Sequence, residues 1–163
     1  MRLQNPNADL FVPDGSDLED ALARTTHLCV GAHPDDIEIM AISAIIACRE
    51  RDDLAFTGVC ATRGSRAPRS GRYASHDDSE MERARRKEQR AAACAGGYGA
   101  MLQLGHASLD LQQARLAPLV DDLEAVLRAT RPARIYTHNP ADKHPTHVAT
   151  AVATVEAVRR VSH

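Results

Sequence analysis

Four short apolar runs, each leading into a segment of helical length, limit what this chain can fold into. The runs are residues 27–32, 55–61, 101–104 and 133–137, and the segments after them are residues 37–49, 77–95, 114–129 and 145–160. Strands separated by helices cannot form hairpins, so they must lie parallel and be joined by right-handed crossovers. The expected architecture is an α/β layered sheet with helices on its faces. Ahead of it, residues 1–15 read as an irregular arm. Ser16-Asp17-Leu18-Glu19 then fits a capping box that opens a helix ending near Thr25. Segment 37–49 carries Ile, Met and Ala throughout and should be a mostly buried helix. Residues 63–76, rich in Gly, Ser, Pro and Arg, read as an irregular loop, and Gly96-Gly97 closes the long charged helix with a residue free to turn left-handed. Residues 1–163 fit a single domain.

In a parallel sheet, ligands collect where strands end and helices begin. Both chemically loaded motifs of this chain fall there. Ala32-His33-Pro34-Asp35-Asp36 closes the first run. His33 and Asp36 are three residues apart, so on an opening helical turn they point the same way and offer an imidazole nitrogen and a carboxylate oxygen to a metal. Asp35 is offset from that face and can reach a water there without ligating the metal. The competing reading is that these acids merely cap the next helix. Capping explains one Asp, not two beside a His-Pro. The second motif, Asp142-Lys143-His144-Pro145-Thr146-His147, follows the fourth run. His144 and His147 are again three apart, and Pro145 suits a first helical turn. Together the motifs can supply three protein ligands and leave a position open to water, the pattern of a catalytic zinc site. Two histidines and a carboxylate also suit Fe²⁺.

Composition removes other classes. A formal net charge of -2 argues against nucleic acid as a partner held by a basic surface. No apolar run reaches the length of a membrane span, and residues 1–7 lack the pattern of a secretory signal, so a cytoplasmic location is expected. Cys29, Cys48, Cys60 and Cys94 form no Cys-x-x-Cys pair and read as reduced, buried small hydrophobes.

The two motifs, extended by Ile37-Glu38 after the first and accompanied by Arg85-Arg86-Lys87-Glu88 with Ala92 and Gly96, resemble those of the PIG-L/LmbE family of zinc-dependent N-acetylglucosamine deacetylases. Order and spacing carry the resemblance from about Thr26 to the C-terminus. It implies a Rossmann-like three-layer α/β/α fold with a mostly parallel sheet. It implies that His33, Asp36 and His147 hold Zn²⁺, that Asp35 is the general base, and that His144 is general acid or electrostatic stabiliser. Arg85 matches an arginine that contacts sugar hydroxyls, and Asp110 a partnering acid. Thr146 stands where the family often has Asp, and Asp142 where some members carry a Tyr that helps hold the oxyanion. The chain ends at His163, where family members continue with strands that shape the cleft.

The expected function is therefore a metal-dependent hydrolase that removes an acetyl group from an N-acetylglucosamine-type conjugate, with water activated by zinc as nucleophile. Its partner would be a small-molecule amino-sugar conjugate, and a homo-oligomer is compatible with the sequence. The alternative is a module that keeps the metal and binds a sugar or partner without turnover. A nucleotide-binding domain is disfavoured, because the first strand-helix turn lacks Gly-x-Gly-x-x-Gly and its acids would repel phosphate. Arg63, Arg66, Arg69 and Arg72 either contact an anionic substrate or sit in a solvated loop. His27, His76, His106 and His138 read as surface or structural residues, with His138 near enough to support the second motif.

Overall fold

The computed structural model describes residues 1–162. Five strands form one sheet: β1 (Asp9–Phe11), β2 (His27–Gly31), β3 (Phe56–Thr62), β4 (Ala100–His106) and β5 (Arg134–Thr137), in the spatial order β1-β4-β3-β2-β5. The four inner and last strands run parallel, and β1 adds to β4 antiparallel. The helices are α1 (Leu18–Ala23), α2 (Asp36–Arg49), α3 (Asp78–Gly96), α4 (Ser108–Gln112), α5 (Ala117–Thr130) and α6 (Pro145–Val161). Among the described residues, no helix is long and apolar enough to cross a membrane.

Alternation along the strands divides the core into two layers. Leu28, Val30, Val59, Ala61, Leu102 and Leu104 face one side, where α1, α5 and α6 cover them. Cys29, Cys60 and Met101 face the other, against Ile37, Ala41 and Ile45 of α2 and Ala93 of α3. The sheet is thus the middle layer of an α/β/α sandwich. The crossovers after β2 and β5 leave to opposite faces, since α2 belongs to one layer and α6 to the other. Adjacent strands whose chains diverge this way leave a crevice between their C-terminal ends.

Several expectations need correction. Asp9–Phe11, within the arm expected to be irregular, is a strand, fixed by Arg90 and Gln103 side chains that both donate to the Asp9 carboxylate. The first helix is capped by Asp17, which accepts from the Glu19 N–H, and not by Ser16. Helix α4 occupies a stretch with no expected structure. The long charged helix does carry a capping box, Asp77 with Glu80, and a left-handed Gly97 at its end. Helix α2 is not mostly buried: Ile39, Ile42 and Ile46 form an exposed stripe, with Ile39 77% exposed. The cysteines are all free, and Cys94 is exposed while the other three are buried.

Candidate functional site

The end of β2 is shaped for close approach. A Cβ on Gly31 would sit 3.0 Å from Ile37 Cγ1 and 3.1 Å from Asp36 Cβ, so glycine lets the first turn of α2 lie against the strand end without displacing either side chain. The Ala32 peptide is then held from both sides. Its carbonyl accepts from the Thr62 N–H and hydroxyl at the end of β3, and its N–H donates to His138 Nε2 just past β5. The His33-Pro34-Asp35 segment follows from this anchored point.

Asp35 bends the chain with φ 97°, a conformation strained for a residue with a side chain. Its carboxylate makes no cap bond to α2, which sets aside the capping explanation for it. Helix α3 holds it instead. Arg85, half-buried, donates to Pro34 O and to Asp35 Oδ2, each at 2.5 Å, and to Glu88 Oε2 at 2.6 Å. One turn on, Gln89 accepts from the Asp35 N–H at 3.0 Å and donates to Glu38, which also accepts from the Tyr98 hydroxyl. The i, i+4 pair Arg85 and Gln89 therefore grips Asp35 by side chain and backbone. The Asp35 carboxylate is largely exposed, and Arg85 engages only its Oδ2.

Asp36 is buried beneath. Its Oδ2 accepts from the His33 N–H at 2.7 Å and lies 3.4 Å from His33 Nδ1, and its Oδ1 lies 3.5 Å from His147 Nε2. His33 Nδ1 and His147 Nε2 are 3.2 Å apart. Burial alone would push the Asp36 carboxyl up. The adjoining His138 and His33 rings and the His33 N–H outweigh it and hold the group well below the usual carboxylate range. His147 Nδ1 is 3.1 Å from Asp142 Oδ2. A carboxylate only accepts, so Nδ1 carries the proton and the Nε2 lone pair faces His33 and Asp36. Thr146, which stands where the family often has Asp, is fully buried and accepts from Gln112. Asp142 does the orienting.

Among the described residues, two trios of side chains bring ligand atoms within 4.8 Å of one another: His33, His144 and His147, and Asp36, His138 and His147. His138, which sequence reasoning kept outside the site, is buried, stacks on His147 at 4.0 Å and lies 3.3 Å from Asp36 Oδ2. Its position directly after a strand at the same sheet edge was the available signal. Its Nε2 already accepts the Ala32 N–H, which leaves that nitrogen no lone pair for an ion. The set of His33, Asp36 and His147 has no such conflict: two ring nitrogens and a carboxylate converge within 3.2–3.5 Å of one another, a donor set that suits a cation. The buried thiols do not compete. Burial pushes Cys29 up to about 12 and Cys60 higher still, so both stay protonated.

His144 stacks on His147 at 4.5 Å and meets His33 edge-on at 4.8 Å. Desolvation, with the His33 and His147 rings nearby, lowers its pKa and favours the neutral ring. His33, Asp35, Arg85 and His144 line one cleft of about 400 Å³, together with Arg66 and Gln112. Asp110 is outside it, paired with Arg115 on the surface.

Comparison with known proteins adds family and fold. Residues 28–158 match the family model described as PIG-L: GlcNAc-PI de-N-acetylase. The probable N-acetyl-alpha-D-glucosaminyl L-malate deacetylase 2 of Bacillus cereus is 30% identical over 135 residues, which cover 82% of this chain and 61% of that protein. A conserved protein from Thermus thermophilus superposes with a TM-score of 0.67 at 25% identity, covering 83% of this chain and 56% of its own. The N,N'-diacetylchitobiose deacetylase from Pyrococcus horikoshii gives 0.72 at 24% identity, with 83% and 49% covered. The chain thus spans roughly half to three-fifths of the length of these relatives. A 4-carboxy-2-hydroxymuconate hydratase from Pseudomonas putida also superposes, at 0.64 and 24% identity over 82% of this chain and 55% of its own, so the fold does not choose the reaction.

Proposed function

We propose, from the premise that this chain belongs to the PIG-L family of GlcNAc-PI de-N-acetylases, that its cleft hydrolyses the acetamide of an N-acetylglucosamine-type conjugate. The observation that carries the reading is the meeting of His33 Nδ1, His147 Nε2 and the Asp36 carboxylate within 3.2–3.5 Å, beside a cleft lined by His33 and Asp35. His33, Asp36 and His147 would hold the ion, zinc or Fe²⁺. A bound divalent ion there supplies Lewis acidity, making water a better nucleophile near neutral pH and polarising the acetamide carbonyl.

The chain's own residues do the rest. Asp35 takes the proton of the attacking water on Oδ1, while Arg85 and Gln89 keep its carboxylate aimed. His144, neutral in this setting, can donate one ring N–H to the oxyanion of the tetrahedral carbon. A neutral His144 is a poor proton donor to the leaving amine, and a neighbouring cation would lower its pKa further. Delivery of that proton then falls to Asp35, which returns the one it took. Arg85 contributes to sugar binding from the cleft wall only with donors it is not already using on Pro34, Asp35 and Glu88.

Metal content of protein purified without chelator, for wild type and His147→Ala together, tests the site, and release of acetate from an N-acetylglucosaminide tests the chemistry. Near-stoichiometric metal lost in the variant, with acetate released only by wild type, is the expected outcome. Metal retained in His147→Ala overturns the ligand set. Metal bound as expected but no acetate from any acetamido sugar leaves a metal-keeping binding module as the reading that survives.

A further inference from the structure

Four arginines stand in the loop after β3, and the structure separates them. Arg63 lies 4.0 Å from Glu82. Arg69 bonds Asp78 and the carbonyls of Ala67 and His76. Arg72 pairs with Glu88 and covers the Tyr73 ring. Among the described residues Arg66 makes no ion pair and no side-chain hydrogen bond, and of the four it is the one that lines the cleft.

Its backbone is fixed in place. The Ala67 N–H donates to Gly64 O at 3.1 Å, which puts Arg66 third in a closed four-residue turn. Gly64, at φ 67°, packs on Pro34 so tightly that an added Cβ would sit 3.0 Å from the ring. The Arg63 N–H ties the turn to His106 O on one side, and Arg69 ties it to the chain at His76 on the other. Other charges in the cleft wall are matched where they stand: Asp35 meets Arg85, and Arg85 also meets Glu88. His144 tends to the neutral form. Arg66 is exposed, and a guanidinium without a counter-ion on a concave wall, carried by a fixed turn, is open to an oxyanion that its planar fork can take bidentately.

We propose that Arg66 recognises a carboxylate or phosphate on the group attached to the amino sugar, so that this cleft selects anionic conjugates over neutral glycosides. The identity of the sugar rests on the deacetylase reading; the anion subsite does not need turnover. Titration calorimetry on zinc-supplied protein reads it directly, with the methyl glycoside of N-acetylglucosamine, its carboxymethyl glycoside and its 1-phosphate as probes. In wild type a charged probe is expected to bind about tenfold or more tightly than the neutral one. Arg66→Gln should bring that ratio to near one, and Arg66→Lys should keep part of it, with thermal melts confirming that both variants fold. The carboxymethyl and phosphate arms tell which oxyanion fits. A ratio near one in wild type, an unchanged ratio in Arg66→Gln, or no binding of any probe overturns the proposal. Arg66-dependent binding of a charged probe that is never hydrolysed upholds the anion subsite and defeats the deacetylase reading instead.

Discussion

His147 depends on Asp142 for something Thr146 cannot supply. The Asp142 carboxylate is partly exposed, accepts the His144 N–H at 2.8 Å and the His147 ring N–H at 3.1 Å, and both bonds hold its own pKa below the usual range. Loss of such an orienting partner typically weakens metal affinity about 10–100-fold. Asp142→Ala should therefore bind zinc that much more weakly in a chelator competition while retaining wild-type circular dichroism; unchanged affinity would show that His147 needs no orienter. Asp35 makes the opposite kind of statement. Its φ of 97° is strained for any residue with a Cβ, and glycine alone accepts it freely. Asp35→Gly and Asp35→Ala lose the same carboxylate, so both should keep metal and lose turnover by about 10²–10⁴-fold. The glycine variant should nevertheless be roughly 1 kcal/mol more stable than the alanine variant in urea unfolding. Equal stability would mean the bend carries no strain.

Helix α3 works as a bracket along one edge, with Arg85, Glu88 and Gln89 presented to the His-Pro-Asp-Asp segment and the following loop. Glu88 sits at its centre and accepts from Arg85, Arg72 and the Tyr73 hydroxyl. Burial pushes the Glu88 carboxyl up, but Tyr73 and the two arginines prevail and hold it below its ordinary value. A carboxyl lowered in the folded state contributes stability above its unfolded pKa, and that contribution is lost as pH falls through the folded value. The melting temperature of wild type should exceed that of Glu88→Gln at neutral pH, with the gap closing below about pH 4. A gap constant with pH would remove the ionised carboxylate from the explanation. Such brackets mark the border of what the sequence makes legible. Strand-helix alternation, the long helix with its capping box and the location of both motifs at strand ends are written in local patterns of period and polarity. β1 and α4 are not, because three and five residues carry too little pattern; β1 owes its form to Arg90, Gln103 and the sheet it joins, and α4 packs against α6. Nor does local pattern say that Arg85 is bound to Asp35 across 50 positions, or that His138 stacks on His147. Those are consequences of strand order, which no short window contains.

The sandwich as a whole is uneven in what it covers. Two isoleucines near the start of α2 make the contrast: Ile37 is fully buried in the layer beside β2 and β3, while Ile39 is exposed. Ile37→Ala should cost about 2–5 kcal/mol in chemical denaturation, and Ile39→Ser within about 0.5 kcal/mol of nothing. A large loss for Ile39→Ser would mean that the stripe of Ile39, Ile42 and Ile46 is covered in solution. The strand order has a further consequence, for the time course of folding. β2, β3 and β4 are joined by successive crossovers and can zip together as the chain is read. β5 pairs with β2 only after passing both intervening strands, matching Tyr136 to Cys29, and His33 meets His147 across 114 positions. Contacts of that separation carry a large closure entropy and belong to the slow stage of folding. The two halves of the cluster thus meet only when the last strand docks, and an ion arriving there would fasten shut a loop of 114 positions.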